Sequence, residues 1–371
     1  MKVTIPTKTT AAVLTEHGGP LDLSDVPLPG EVEPGAALVR ITCTTLCGTD
    51  VHLWAGQMTF PGMLPMILGH EMIGEVVAAG EGTTDALGRP LGPGDRIGWS
   101  ESTCGRCHGC AVLREPVACA SRGYGFMQRS DRPPYATGGL VEYCYVTPGA
   151  AKLLLPGDVK DTWAAMSGCA AKTVLRAVDR AGGIRAGSTV VIQGAGALGI
   201  FATAVARLSG AGTVVTVGGP DDRLAAARRF GADATVSVDL GKDERIARLR
   251  ELTGERGADY VFDLAGAPTV AEEAVAVAAQ RGTIAVVGTT GPGLTGVPLG
   301  TVMGKELTVV GSLNGDIADY HRAVGFFQTF AARMPWDELF SEPVGLSGAS
   351  ASVESMSRLG QIKAVIDPRL P

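Results

Sequence analysis

No stretch of the sequence reaches the roughly 18 consecutive apolar residues of a membrane-spanning helix, so a transmembrane protein is not expected. The first ten residues, "MKVTIPTKTT", lack the apolar h-region of a secretory signal. With neither feature, a cytoplasmic protein is expected. Thiols stay reduced there, so the eight cysteines read as metal or catalytic groups before they read as disulfides. Positive charge is also scarce. Lys and Arg number 32 against 38 Asp and Glu, and the net charge of −6 leaves no electrostatic footprint for nucleic acid or an anionic membrane. Repeats and low-complexity segments are absent too.

What is present is a long, foldable chain. Its 371 residues exceed the roughly 250–300 that one core serves, so two domains are expected. Hydrophobic residues at 45% and charged residues at 19% suit a globular protein. The first 150 residues are cut by Gly and Pro. Short β-rich runs such as "ALVRITCTT" (37–45) and "MIGEVVAAG" (72–80) lie between turn signals, which predicts an irregular, mostly β region. The texture changes near Thr162. "TWAAMSGCAAKTVLRAVDRAG" (162–182) reads as one helix. Strand runs then alternate with helical runs: strands at 188–193, 212–219, 233–239, 258–266, 282–288 and 306–312, helices at 197–211, 221–232, 244–254 and 269–282. Such alternation predicts βαβ units and a doubly wound parallel sheet, an α/β fold. After Asn314 the rhythm is lost.

"VVIQGAGALG" places Gly194, Gly196 and Gly199 after a strand and at the mouth of a helix. The first glycine permits the tight turn, the second lets backbone approach a pyrophosphate, and the third allows close helix–strand packing. The helix N-terminus offers free N–H groups to the phosphates. A dinucleotide site is expected. The following strand should end in an acidic residue for the ribose 2′-hydroxyl, yet it reads "VVTVGGPDDR", with Gly218 and Gly219 at that place. Without that carboxylate, repulsion of a 2′-phosphate disappears, and Arg223 or Arg228 can supply positive charge. This tilts the expectation from NAD toward NADP, with Asp221 or Asp222 as the alternative that restores the acid from a shifted loop.

"CGRCHGCAVLREPVAC" carries Cys104, Cys107, Cys110 and Cys119. Four thiolates on one loop suit tetrahedral zinc, and four protein ligands leave no open position, so this zinc would be structural. A zinc-ribbon module for nucleic acid is the competing reading; the acidic chain and the lack of an adjoining basic helix oppose it. His108 inside the loop is read as solvated. Cys43 and Cys144 sit in apolar β context and read as small core residues. "CGTDVH" (47–52), "GHE" (69–71) and "SGC" (167–169) fit together as a second site. Cys47, His70 and Cys169 would be three ligands with a fourth position left open, the catalytic arrangement. Asp50 is placed to hold the other ring nitrogen of His70.

Taken in order, "CGTDVH", "GHE", the cysteine loop, "SGC", "GAGALG" (194–199) and the terminal "GQIKAVIDP" (360–368) resemble the zinc-dependent medium-chain alcohol dehydrogenases over essentially the whole chain. The resemblance implies a GroES-like β-rich catalytic domain at 1–160, completed by 315–371, with a Rossmann domain at 161–314. It implies two Zn2+ per chain, one catalytic and one structural. By position, Glu71 resembles the carboxylate that approaches the catalytic metal, Thr49 the hydroxyl at the substrate oxygen, and His52 the outer end of the proton relay. Leu198 and Thr173 fall where the family meets the nicotinamide, and Lys363 resembles a basic contact to the cofactor phosphates. Two features depart from the pattern: eight residues precede Cys119 where many members have seven, and Gly218 replaces the usual aspartate.

The implied chemistry is reversible hydride transfer between an alcohol and NAD(P), with the proton leaving through Thr49 and His52. Zinc-free enone or quinone reductases share the fold but lack the open-site ligands. A non-catalytic, sensory cofactor-binding protein needs no proton relay. The motif contexts look closest to bacterial polyol, cyclitol or phosphonate-pathway dehydrogenases. Trp54 and Trp99, near motif residues, are candidates for the pocket wall or for packing. The family implies a homodimer or homotetramer, with the sheet edge near "ELTVVGS" (306–312) as the contact.

Overall fold

The computed structural model describes residues 5–288 and 296–371 and divides into two compact units. The first holds the chain to Lys172 together with Gly315–Thr329 and Leu339–Pro371. The second holds Thr173–Asn314 and Phe330–Glu338.

In the first unit, β1 (Lys8–Leu14), β2 (Asp22–Pro27), β3 (Ala37–Thr45), β4 (Met66–Ile67), β5 (Glu71–Ala79), β6 (Arg96–Ser102), β7 (Tyr143–Val146) and β8 (Ala150–Leu154) are interrupted by a short helix, α1 (Gly48–Trp54), and followed by α2 (Asp161–Met166). One sheet has the order β2-β1-β4. The other runs β15-β3-β5-β6-β8, with β7 also on β3 and β15 (Val365–Ile366) supplied by the C-terminal segment. Leu38, Ile41, Leu46, Leu68 and Ile366 fill the core between them. Register sets up everything that follows. Thr45 stands opposite Glu71, and Val365 stands opposite Thr45. The segments leading to Cys47, His70 and Lys363 therefore meet at one end of one sheet.

In the second unit, α3 (Lys172–Arg180, whose first residue belongs to the first unit) leads into β9 (Thr189–Gln193), α4 (Ala197–Leu208), β10 (Thr213–Gly218), α5 (Asp221–Arg229), β11 (Ala234–Ser237), α6 (Lys242–Thr253), β12 (Ala258–Asp263), α7 (Val270–Val277), β13 (Ala278–Val286), α8 (Leu299–Gly304) and β14 (Thr308–Gly311). The strands are parallel, in the order β11-β10-β9-β12-β13-β14. Helices cover both faces of such a sheet, so its central strands are apolar throughout rather than alternating. Val191, Val215, Val261 and Ile284 form its core. This is a GroES-like, antiparallel-sheet unit plus a doubly wound Rossmann-type sheet. The chain then returns to the first unit through α9 (Ile317–Phe330) and α10 (Ala349–Ser357).

Four details differ from the sequence reading. The division falls at Lys172 rather than at residue 160, because Lys172 is buried against Glu101 of β6. Residues 330–338 belong with the Rossmann unit, where Trp336 packs on Phe201 and Phe230 with ring centroids 5.6 and 5.7 Å apart. The helix expected over 269–282 stops at Val277, and Ala278 pairs with Ala258 as the start of β13. A short, buried, alanine-rich run has no period that separates helix from strand. The helix expected over 162–182 is broken by a π-helical turn, Ser167–Ala171.

Candidate functional site: a cysteine–histidine centre and a glycine-turn cradle

Cys47 caps the N-terminus of α1, and Asp50 lies in its first turn. The Asp50 side chain is fully buried. Its Oδ2 accepts the Cys47 N–H at 2.8 Å. Its Oδ1 accepts the Gly69 N–H at 2.9 Å and faces His70 Nδ1 at 3.1 Å. One carboxylate thus ties the "CGTD" turn to the "GHE" turn and leaves His70 Nε2 for a ligand. Gly69 is required here. Its φ is +92°, and a Cβ would sit 3.0 Å from both Gly139 Cα and Thr44 Cγ2. Phe126 stacks on the His70 ring at 4.4 Å.

Cys169 comes from the π-helical turn between α2 and α3. Such turns recur at functional sites because they re-aim one side chain without ending the helix. The ligand atoms of Cys47, His70, Glu71 and Cys169 lie within 4.8 Å of one another. Glu71 is sealed in: Oε2 accepts the Thr45 hydroxyl at 2.5 Å and pairs with Lys363 Nζ at 2.5 Å, while Oε1 accepts the Ala170 N–H at 3.2 Å. Burial pushes its carboxyl up to about 7, with Lys363 pulling the other way. A hydrogen bond from the Cys169 thiol, and then His70, hold the Cys47 thiol well below its ordinary range against the cost of burial. Burial opposes charge on His70, and Asp50 overcomes that effect and raises it. Two thiols and one imidazole fit a zinc ion with one position left for substrate, with the Glu71 carboxylate held beside them by Thr45 and Lys363.

The structure gives Lys363 a second partner set. Expected at the cofactor phosphates, it is 1% exposed, paired with Glu71 and donating to the Leu46 carbonyl at 3.1 Å. The β15–β3 pairing carries it there. Thr45 was not singled out from the sequence, since a threonine in a β run carries no signal of its own.

Cys104, Cys107, Cys110 and Cys119 form the second cluster, their sulfurs within 4.8 Å. Cys110 rides a π-helical turn, His108–Val112. Backbone N–H groups converge on the sulfurs. Cys104 N lies 3.4 Å from Cys119 Sγ, and the N–H groups of Cys110 and Ala120 bring the Cys107 thiol down to about 6. A set of four thiols so prepared fits zinc with no open position. The extra residue before Cys119 does not prevent closure. His108 is exposed and outside the cluster. Cys43 and Cys144 are buried, and burial raises both thiols.

In the Rossmann unit, Gly196 caps α4 directly after β9. Gly194 has φ +119°, a conformation that favours glycine. A Cβ at Gly199 would overlap the Gly194 carbonyl, whereas Gly196 has open space beside it, the room a pyrophosphate needs. Leu198 is half-buried in the first turn of α4, and Thr173 is buried in the first turn of α3. Gly218 ends β10, where a Cβ would run into Ala195, whose N is 2.7 Å away. Gly219 follows. Arg223 is buried in the first turn of α5, while Arg228, Asp221 and Asp222 are exposed. Trp54 donates to the Gly19 carbonyl at 2.7 Å and packs on the core, whereas Trp99 lines a cavity with His70 and Phe126.

The chain matches two domain families, and known proteins and solved structures over nearly its whole length. Residues 33–156 match the alcohol dehydrogenase GroES-like domain, and residues 197–329 match the zinc-binding dehydrogenase domain. A 5-exo-hydroxycamphor dehydrogenase of Pseudomonas putida is 33% identical over 97% of this chain and 99% of its own length. Among solved structures, an alcohol dehydrogenase from Thermotoga maritima superposes with a TM-score of 0.87 at 29% identity, covering 97% of this chain and 99% of its own. A protein described as a zinc-binding dehydrogenase, from Sinorhizobium meliloti and bound to NADP, gives 0.84 at 28% identity, covering 98% of this chain and all of its own. The chain belongs to the zinc-dependent medium-chain alcohol dehydrogenase family.

Proposed function

We propose that this chain is a zinc-dependent, NAD(P)-linked dehydrogenase that interconverts an alcohol and its carbonyl. The convergence of Cys47, His70, Glu71 and Cys169 carries the reading. Zinc held by Cys47, His70 and Cys169 would supply Lewis acidity at the substrate oxygen, and the nicotinamide would supply the hydride chemistry. The chain's own residues do the remaining work. Asp50 fixes the His70 ring through Nδ1. Thr45 and Lys363 hold Glu71 beside the ligands. Thr49 Oγ1 would accept the substrate hydroxyl proton while its own hydroxyl proton passes outward toward His52 and solvent. His52, exposed on the same helix with Nδ1 engaged by Gln57 Oε1 at 2.5 Å, exchanges a proton with water at Nε2.

Gly194, Gly196 and Gly199 receive the pyrophosphate, Leu198 and Thr173 the nicotinamide, and Gly218, Gly219 and Arg223 the adenosine ribose. The missing carboxylate at Gly218 favours NADP, and the NADP-bound Sinorhizobium relative supports that choice. The four-cysteine loop holds a second, structural zinc. The name of the Pseudomonas relative, 5-exo-hydroxycamphor dehydrogenase, favours a cyclic secondary alcohol, which lies outside the polyol, cyclitol and phosphonate-pathway classes that the motif contexts suggest. Two copies pair along β14, whose edge exposes Val309 beside Leu313. No helix among the described residues is long and apolar enough to cross a membrane, in keeping with a cytoplasmic enzyme.

The test is to follow nicotinamide absorbance with zinc-loaded protein, NADPH or NADH, and a panel of ketones and aldehydes. Turnover that disappears in Cys47→Ser supports the reading. Tight cofactor binding with no turnover on any carbonyl or alcohol overturns it in favour of a sensory role. Turnover of enones alone, undiminished in Cys47→Ser, assigns the zinc-free reductase instead.

A further inference from the structure

The cysteine loop joins its unit through a narrow neck, where Ser102 and Gly123 exchange two backbone hydrogen bonds at 3.0 and 2.9 Å. Beside that neck the Arg122 guanidinium reaches Glu101 Oε2 at 3.0 Å, and Lys172 Nζ reaches the same oxygen at 3.2 Å. Arg122 also donates to the Val117 and Gly315 carbonyls and lies over the Tyr124 ring. Side-chain exposure is 0% for Lys172, 7% for Arg122 and 11% for Glu101. The placement in sequence is regular. Glu101 is the third residue before Cys104, Arg122 the third after Cys119, and Lys172 the third after Cys169.

Buried ionic networks are poor stabilisers, because desolvation offsets much of the Coulomb gain and an apolar replacement of equal volume often serves the core better. What they do supply is direction. Lys172 begins the helical segment that follows the π-helical turn, so a fixed Lys172 head group fixes the turn that aims Cys169. Glu101 is fixed in its turn by Arg122 and the neck. It also lines, with His70, Phe126 and Gly168, a cavity of about 40 Å3.

We propose that Glu101 is a positioning residue for Cys169: its carboxylate holds Lys172, and through it the Cys169 turn, against the neck of the cysteine loop. The order imposed by the structural metal thereby reaches the three-ligand centre. This inference rests on the reading of Cys47, His70 and Cys169 as a zinc site.

The experiment exchanges cobalt(II) into the three-ligand site of the full chain, with zinc kept in the cysteine loop, and records the ligand-field spectrum and the rate of cobalt release to a chelator. Glu101→Gln shifts the cobalt bands and speeds release about tenfold, the lower end of what loss of an outer partner costs a metal site, while loop zinc is retained. Glu101→Asp falls between Glu101→Gln and the parent, and Arg122→Met shifts the bands in the same direction but less. If Glu101→Gln does not fold, Lys172→Met, which removes the buried cation and keeps the stem, decides by the same shift. A folded variant with the parent's spectrum and release rate overturns the proposal, as does loss of loop zinc with an unaltered cobalt spectrum, which would make the network a loop brace only. A parent chain that takes up no cobalt at the three-ligand site overturns the underlying zinc reading, and the positioning role falls with it.

Discussion

Lys363 Nζ lies 2.5 Å from Glu71 Oε2, with both side chains closed off from solvent. Removing one partner of a buried pair strands the other charge, at a cost of about 3–5 kcal/mol. Lys363→Met is therefore expected to lose stability of that order in urea unfolding. The double variant Lys363→Met/Glu71→Gln should recover most of it. A cofactor-phosphate lysine would behave differently: Lys363→Met would raise the KM for the nicotinamide and leave the unfolding midpoint in place.

Asp50 accepts from Cys47 N and Gly69 N and faces His70 Nδ1. Asp50→Asn keeps the size but sets an N–H against one of these donors. Loss of such an outer partner typically lowers metal affinity about 10–100-fold. Zinc competition against a chromophoric chelator should show that loss, with kcat falling alongside it. Unchanged affinity would mean that the ring of His70 is held by other contacts.

Gly218 is the position where a carboxylate for the ribose hydroxyl is expected, yet a Cβ there meets Ala195. Gly218→Asp alone should therefore be destabilised by about 1–3 kcal/mol through overpacking and should fail to gain NAD. Ala195→Gly removes the nearest contact, the Ala195 Cβ, but leaves its backbone N 2.7 Å from the new Cβ, so the double variant is expected to recover only part of the stability and still to gain no NAD. Thermal melts and the two cofactor titrations read both outcomes.

Lys152 is 3% exposed and donates to the Thr147 and Ala150 carbonyls, and burial brings its ammonium down from 10.5 to about 8. A folded value below the unfolded one means that the unfolded chain binds more protons between those two pH values. The penalty for charging Lys152 is thus fully present below about pH 8 and fades as pH rises toward 10.5. Relative to Lys152→Met, the parent should gain stability across that window: the full penalty is about 3.5 kcal/mol at about 1.4 kcal/mol per pKa unit, and most of it is relieved by the upper end. Urea unfolding of both proteins at the two ends of the window measures the difference. A constant gap between them would show that Lys152 titrates normally.

Features local in the chain were legible without coordinates. The cysteine spacing of the loop, the strand–glycine–helix run around Gly194, and the alternation from β9 to β14 each carry their geometry within a few residues of backbone. The trio of Cys47, His70 and Cys169 was legible only as separate short motifs. Their closeness depends on the β3–β5 register and on the π-helical turn, and an uninterrupted helical pattern over 162–182 gave no sign of that turn. The break between α7 and β13 was hidden for a similar reason, since a run of buried alanines fits either element.

By itself, then, the sequence determined the two-unit α/β architecture, the cysteine loop and the dinucleotide turn, because each is written in local spacing and periodicity. Only the tertiary structure decided that Lys363 belongs to Glu71, that Ala195 bars a side chain at Gly218, and that Glu101 joins Arg122 to Lys172. Those partners are far apart in the chain. Which of them meet is fixed by strand register and packing distance, and residue type and spacing encode neither.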